Sequence, residues 1–203
     1  MPRPDAIPRF TRTETTVHRT TSLLVLALLA TGIALYVPSL SVLVGRRALL
    51  ASIHVGCGLV LPFPMLLGLL SSPELRADVS ALGRFVGDDA AWLRRTDRRT
   101  AGLRVGKFNA GQKVASAVFA GLGLVLVATG LLLLAPVGLD VPDGIRQGAT
   151  FTHDISTFAV LVLLAGHLWE AWRHPEARAA LLTGMVDRSY AEREHPAWVD
   201  RQP

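Results

Sequence analysis

Four of the six histidines lie in or beside long apolar stretches, where an ionisable side chain is costly and marks a functional position by default. His54 follows Arg47 by seven residues and His153 follows Arg146 by seven, while His18 stands beside Arg19 and His167 three residues before Glu170. If successive apolar stretches cross in opposite directions, His54 and His153 share a level near the outer face. His18 and His167 then share a level near the inner face. The fourteen residues from His153 to His167 climb about 21 Å of helix and return to within about 40° of the same side. Each imidazole of that helix can therefore meet a histidine from another helix in the core of a bundle, where such folds build cofactor sites. Two neutral imidazoles approaching from opposite sides are the axial ligands of a haem iron, and two such pairs would carry electrons across the membrane dielectric. Zinc fits less well, because neither pair supplies the four ligands it normally takes. A proton relay is the other reading of these residues, with His153-Asp154 the one adjacent His–carboxylate pair among the four. His174 and His195 fall in the polar tail and are read as solvated or structural.

Holding those side chains requires membrane-spanning elements, and the composition supplies them. Of 203 residues, 50% are hydrophobic and only 18% charged, short of the roughly 25% charged residues of soluble domains. Residues 20–45, 48–73 and 114–139 contain no Asp, Glu, Lys or Arg, and Phe151–Trp172 carries only Asp154 and Glu170 near its ends. Each stretch can cross a hydrocarbon core of about 30 Å. A backbone in lipid must satisfy its own hydrogen bonds, so these stretches are helices. The expectation is an all-α integral membrane protein, a four-transmembrane-helix bundle forming one membrane domain over residues 1–203. The spans are expected at about 20–42, 48–71, 114–135 and 151–172. A cytoplasmic amphipathic segment and loop occupies about 73–113 and a cytoplasmic tail 173–203.

Charge sets the direction of crossing. Of the 21 Lys and Arg, only Arg46, Arg47 and Arg146 lie outside the N-terminal segment, the middle connection and the tail. The positive-inside rule therefore makes both termini and the middle connection cytoplasmic, in a bacterial cytoplasmic membrane. The net charge of +5 follows this membrane pattern and does not point to nucleic acid. No cleaved signal peptide is expected, since the leader is long and polar, contains Asp5 and Glu14, and has no small-residue cleavage site after the apolar run. Cys57 is the single cysteine, which excludes an internal disulfide, a covalent Cys-x-x-Cys-His haem site and a four-thiolate cluster within this chain.

Several local features refine this plan. Pro62 and Pro64 should kink the second span. Ser72-Pro73-Glu74 reads as an N-cap, first-turn proline and first-turn acid, followed by Leu75, Val79, Leu82 and Val86 at helical spacing. That pattern suits a helix lying on the membrane surface, under a partner, or on its own bundle. Residues 96–106 read as a basic loop, and no internal repeat or low-complexity tract is expected. Lys107-Phe108-Asn109-Ala110-Gly111-Gln112-Lys113 then places two amides, a glycine and two cations where the loop enters the bilayer. Amide side chains can donate to a carbonyl and accept from a hydroxyl, which suits a quinone and its quinol. A plain helix cap flanked by lysines is the competing reading.

With that segment on the page, the chain resembles the di-haem cytochrome b (gamma) subunit of membrane-bound respiratory formate dehydrogenases over roughly residues 10–200. The resemblance rests on His18-Arg19, His54 opening the second span, Asp88-Asp89 with Trp92-Leu93, and the Lys107–Lys113 segment. It continues through His153 and His167 to Tyr190-Ala191 and His195-Pro196-Ala197-Trp198. The resemblance implies two non-covalent haem b groups, the outer held by His54 and His153 and the inner by His18 and His167. It further implies menaquinone at the cytoplasmic side, met by Asn109 and Gln112 with Gly111 shaping the turn. Electrons would arrive from an iron–sulfur subunit attached to a molybdopterin-containing catalytic subunit. Arg19, Arg46 and Arg47 are candidate partners of haem propionates, since guanidinium matches carboxylate; surface anchoring is their other reading. Three alternatives stand beside this one. They are a stand-alone cytochrome b quinone oxidoreductase of the superoxide oxidase kind, the cytochrome b of a hydrogenase or thiosulfate reductase, and a haem-free anchor or transporter.

Overall fold

The computed structural model describes residues 5–97, 102–134 and 141–202. Arg3, Arg98 and Arg99, which contribute to the basic count above, lie outside the described residues, as does the end of the third expected span at 135. The chain runs β1 (Ala6–Pro8), α1 (Arg12–Tyr36), α2 (Pro38–Val44), α3 (Arg47–Val60), α4 (Phe63–Ser71), α5 (Pro73–Leu82), α6 (Asp89–Arg94) and α7 (Ala110–Leu134). It continues with α8 (Asp143–Arg173), α9 (Pro175–Thr183), β2 (Met185–Asp187), α10 (Arg188–Glu194) and α11 (Pro196–Val199).

Four helical stretches are long and apolar enough to cross a membrane: Arg12–Tyr36, Arg47–Ser71, Ala110–Leu134 and Asp143–Arg173. The fold is an all-α four-helix membrane protein. Its spans expose apolar side chains such as Leu124 and Val162, at 74% and 76%, as expected where lipid rather than protein covers them. The second span is interrupted between α3 and α4 at Leu61-Pro62, because a proline ring removes a backbone donor and crowds the preceding turn.

The first helix starts at Arg12, well before the apolar run. The Thr11 amide donates to Glu14 Oε2 at 2.6 Å and the Glu14 amide to Thr11 Oγ1 at 3.4 Å, a reciprocal capping box that fixes the start. Its end at Tyr36, short of the expected 42, follows from Pro38, which opens α2. The start of α5 is as expected, with the Leu75 amide donating to Ser72 Oγ at 3.1 Å. Its apolar stripe is not what it buries, however. Val79 and Val86 are exposed, Val86 lies beyond the helix, and the buried positions are Leu75 and Asp78.

The described residues cluster into two compact units, 5–16 with 68–97, 102–119 and 166–202, and 17–67 with 120–134 and 141–165. The first is built on a small core of Ile7, Ala180, Val186, Tyr190, Ala191 and Trp198. Antiparallel β1–β2 pairing in the register Ala6 to Asp187 closes this core, a tie between leader and tail absent from the sequence expectations. The second unit holds parts of all four spans together with α2, and with them His18, His54 and His153.

Candidate functional site

Within the span unit, His54 on α3 and His153 on α8 face each other with ring centroids 6.3 Å apart and planes inclined by 66°. A metal–imidazole bond is about 2.0–2.1 Å and the ring centroid lies about 1.1 Å behind the nitrogen, so two imidazoles sharing one metal stand about 6.3 Å apart. The separation therefore fits two rings that would hold one iron between them.

Each ring is held by a threonine on the preceding span. Thr31 Oγ1 lies 3.0 Å from His54 Nδ1, and Thr129 Oγ1 lies 2.9 Å from His153 Nδ1. Each hydroxyl has one proton, and it goes backwards along its own helix, to the Ala27 carbonyl at 2.7 Å and the Val125 carbonyl at 2.8 Å. The hydroxyl oxygens must then accept from the rings. Both histidines are thus Nδ1–H tautomers, and the lone pair is at Nε2. The residue after each threonine is glycine. A Cβ at Gly32 would stand 3.3 Å from His54 Cε1, a tight approach, and one at Gly130 would stand 3.6 Å from His153 Cε1, in ordinary contact, so both ring edges lie against a glycine backbone.

His18 belongs to the span unit and His167 to the other. His18 is exposed on α1 with Arg19 beside it. The His167 ring makes an edge contact with Phe119, centroids 5.9 Å apart at 87°. Of the arginines, Arg47 donates to the Leu35 carbonyl at 3.1 Å and to Ser41 Oγ at 2.9 Å, tying the α1–α2 break. Arg46 is the residue preceding α3.

In the first unit, the Lys107–Lys113 segment forms a second reciprocal box. The Asn109 amide donates to Gln112 Oε1 and the Gln112 amide to Asn109 Oδ1, both at 2.9 Å. Both side-chain oxygens are thereby engaged, and their NH2 groups remain as the donors able to meet a quinone carbonyl. A Cβ on Gly111 would stand 2.8 Å from Trp92 Cη2, so only glycine lets the indole cover this turn. Lys113 Nζ, buried, meets Asp89 Oδ2 at 2.5 Å, and the same oxygen accepts from the Val86 amide at 2.8 Å.

Two polar clusters beside this turn escaped the sequence reading. Lys107 Nζ lies 2.6 Å from Asp78 Oδ2 and 3.3 Å from Glu14 Oε1, placing two carboxyls against one ammonium. Burial, then a hydrogen bond with Glu14, pushes the Asp78 carboxyl up to about 7. The second cluster uses His195, which is buried rather than solvated. Its Nδ1 donates to the Gly106 carbonyl at 2.8 Å and its Nε2 accepts from Arg9 Nη2 at 3.0 Å. Arg9 also donates to the Lys107 carbonyl at 2.7 Å and lies over the Phe10 and Trp198 rings at 5.4 and 5.5 Å. Only the capping box had a sequence signal, since an Asn-x-x-Gln start matches the helix-capping pattern.

His195 carries a pH consequence. Burial, then the Arg9 charge, lowers its pKa from 6.5 to about 3. Between those values the unfolded tail binds more protons than the docked one, so the docking it supports is complete above pH 6.5 and weakens as pH falls toward 3. Protection factors of the 185–199 amides, exchange rates corrected for the intrinsic pH dependence, should fall over that window. His195→Gln, which retains a donor for Gly106 and an acceptor for Arg9, should flatten the dependence; an unchanged profile would refute the assignment.

The sequence model of the prokaryotic cytochrome b561 family matches residues 9–188, a range that contains all four span histidines, the Asn109–Gln112 turn and both threonines. No curated protein gives a significant match.

Proposed function

Because the chain belongs to the prokaryotic cytochrome b561 family, and so is a membrane b-type cytochrome of electron transfer, we propose that it is the di-haem membrane subunit of a formate dehydrogenase-like respiratory complex. In this reading it passes electrons from an iron–sulfur subunit, served by a molybdopterin-containing catalytic subunit, to menaquinone at the cytoplasmic face. The observation that carries the haem assignment is the His54–His153 pair at 6.3 Å with both Nδ1 atoms engaged by threonines. His54 and His153 would hold the outer haem, and His18 and His167 the inner one. When bound, haem b supplies a one-electron carrier whose potential its axial ligands and their hydrogen bonds adjust.

The quinone assignment is supported by the Asn109–Gln112 turn. Its reciprocal box fixes both amide planes, and the two NH2 groups can orient a quinone ring by its carbonyl oxygen. Trp92 over Gly111 offers an aromatic wall beside them. Reduction of a quinone consumes two protons, and the Glu14–Asp78–Lys107 cluster near the same turn is ionisable at working pH. Cytoplasmic termini agree with eighteen of the 21 basic residues falling on that side.

Asn109→Ala tests the quinone site. The variant should keep both haems and their reduction by dithionite, yet re-oxidise more slowly with a menaquinone analogue by about tenfold, the loss of one hydrogen bond of about 1.4 kcal/mol. Stopped-flow absorbance of the haem band reads this directly, and an unchanged rate would remove Asn109 from the site. Copurification of an iron–sulfur subunit with the chain tests the partner assignment. A chain isolated alone that still exchanges electrons between a small oxidant and quinone would favour the stand-alone cytochrome.

A further inference from the structure

The two threonine–histidine contacts are copies of one device. Ala30-Thr31-Gly32 precedes His54, and Ala128-Thr129-Gly130 precedes His153, with threonine and histidine separated by 23 and 24 positions. In each copy the hydroxyl donates to the carbonyl four residues back, accepts from Nδ1, and is followed by a glycine under the ring. Both threonines are buried, at 8% exposure each. A threonine in an apolar helix ordinarily satisfies itself by bonding backwards along its own turn, which requires no histidine. Finding the same second contact in both halves points to a shared requirement of the two rings.

We propose that Thr31 and Thr129 are positioning residues that set the tautomer and basicity of the two outer imidazoles, and through them the reduction potential of the outer site. The proposal rests on His54 and His153 being the outer ligands. A hydrogen bond accepted from the far nitrogen of a ligating imidazole fixes the ring and raises its basicity. A more basic ligand favours the more highly charged ferric iron, so each hydroxyl lowers the potential. Because each hydroxyl is neutral and its own proton is committed to a carbonyl, the effect is smaller than a carboxylate would produce. The imidazole stays neutral, and the outer site stays easier to reduce than with a carboxylate partner.

The test uses the full-length haem-loaded protein in detergent, comparing Thr31→Val, Thr129→Val and Thr31→Ser by haem content and redox titration. The outer component is identified as the one that His54→Ala removes. Each valine variant should retain it but shift its ferric-over-ferrous preference by about tenfold, a rise of about 59 mV for a one-electron couple. Thr31→Ser should titrate as the parent does. If Thr31→Val loses the outer haem altogether, retention at parental potential in Thr31→Ser still supports the role. An unmoved potential in the valine variants, or a serine variant shifted as far as valine, overturns it. His54→Ala that keeps both haems refutes the ligand assignment instead, which separates the two failures.

Discussion

Alanine at His54, or at His153, is expected to cost the protein one haem and leave the other in place. The two rings stand 6.3 Å apart in one unit, and neither has a second histidine within its contacts that could substitute among the described residues. Removing one ring leaves an iron with a single protein bond in an apolar surround, where nothing replaces the lost ligand. The b-type absorbance of the reduced chain should fall by about half, and the remaining signal should titrate as one component. The mirrored result is expected for His18→Ala and His167→Ala, which should spare the component lost from the His54 variant. A single alanine that leaves both components intact would show that the pairing is wrong.

The second large effect concerns the buried Lys113–Asp89 ion pair. Lys113→Met should destabilise the protein by about 3–5 kcal/mol, because it strands the Asp89 carboxylate in a buried position without its counter-ion. Lys113 and Asp89 are 5% and 8% exposed, so solvent cannot replace the lost ammonium. Adding Asp89→Asn should recover most of that loss. The amide removes the uncompensated charge yet still offers an oxygen to the Val86 amide, which Asp89 now accepts at 2.8 Å. Thermal unfolding of the four proteins of this cycle in one detergent measures the coupling directly. Equal destabilisation in single and double variants would mean that the pair acts through packing rather than charge.

Much of the architecture was readable because lipid leaves the backbone few choices. The charge-free lengths had to be helices, Pro62 had to interrupt one of them, and Ser72 had to cap another. The helix α1 begins at Arg12, ahead of the expected span at about 20, because a polar turn extends it beyond its apolar part, and Thr11-x-x-Glu14 is a readable capping box for that start. The stripe Leu75–Val86 marked a helix, which ends at Leu82, but not the surface it meets. Periodicity identifies a helix but not the partner it faces, and here the side chain that turns inward is Asp78.

The site divides the same way. Histidines stand out in apolar helices because their presence is costly, so their positions and depths could be reasoned from spacing. Thr31 and Thr129 did not stand out, since a threonine can satisfy itself within its own helix. The expectation of no internal repeat also overlooked the matching Ala-Thr-Gly triplets, which are too short to register as a repeat without the contacts that give them meaning. Asn109 and Gln112 were seen as amides suited to a quinone. A helix cap was the other reading of the same residues, and the folded turn joins the two: the oxygens cap the helix and the NH2 groups remain as donors.

The sequence by itself thus determined where the chain crosses the bilayer and which residues carry ionisable chemistry there, because the cost of polarity in lipid is paid residue by residue. Tertiary structure alone decided which nitrogen of His54 and of His153 bears the proton, which carboxyls share Lys107, and that His195 is locked beneath Arg9. Those outcomes depend on the rotation and register of one element against another, which no linear spacing encodes.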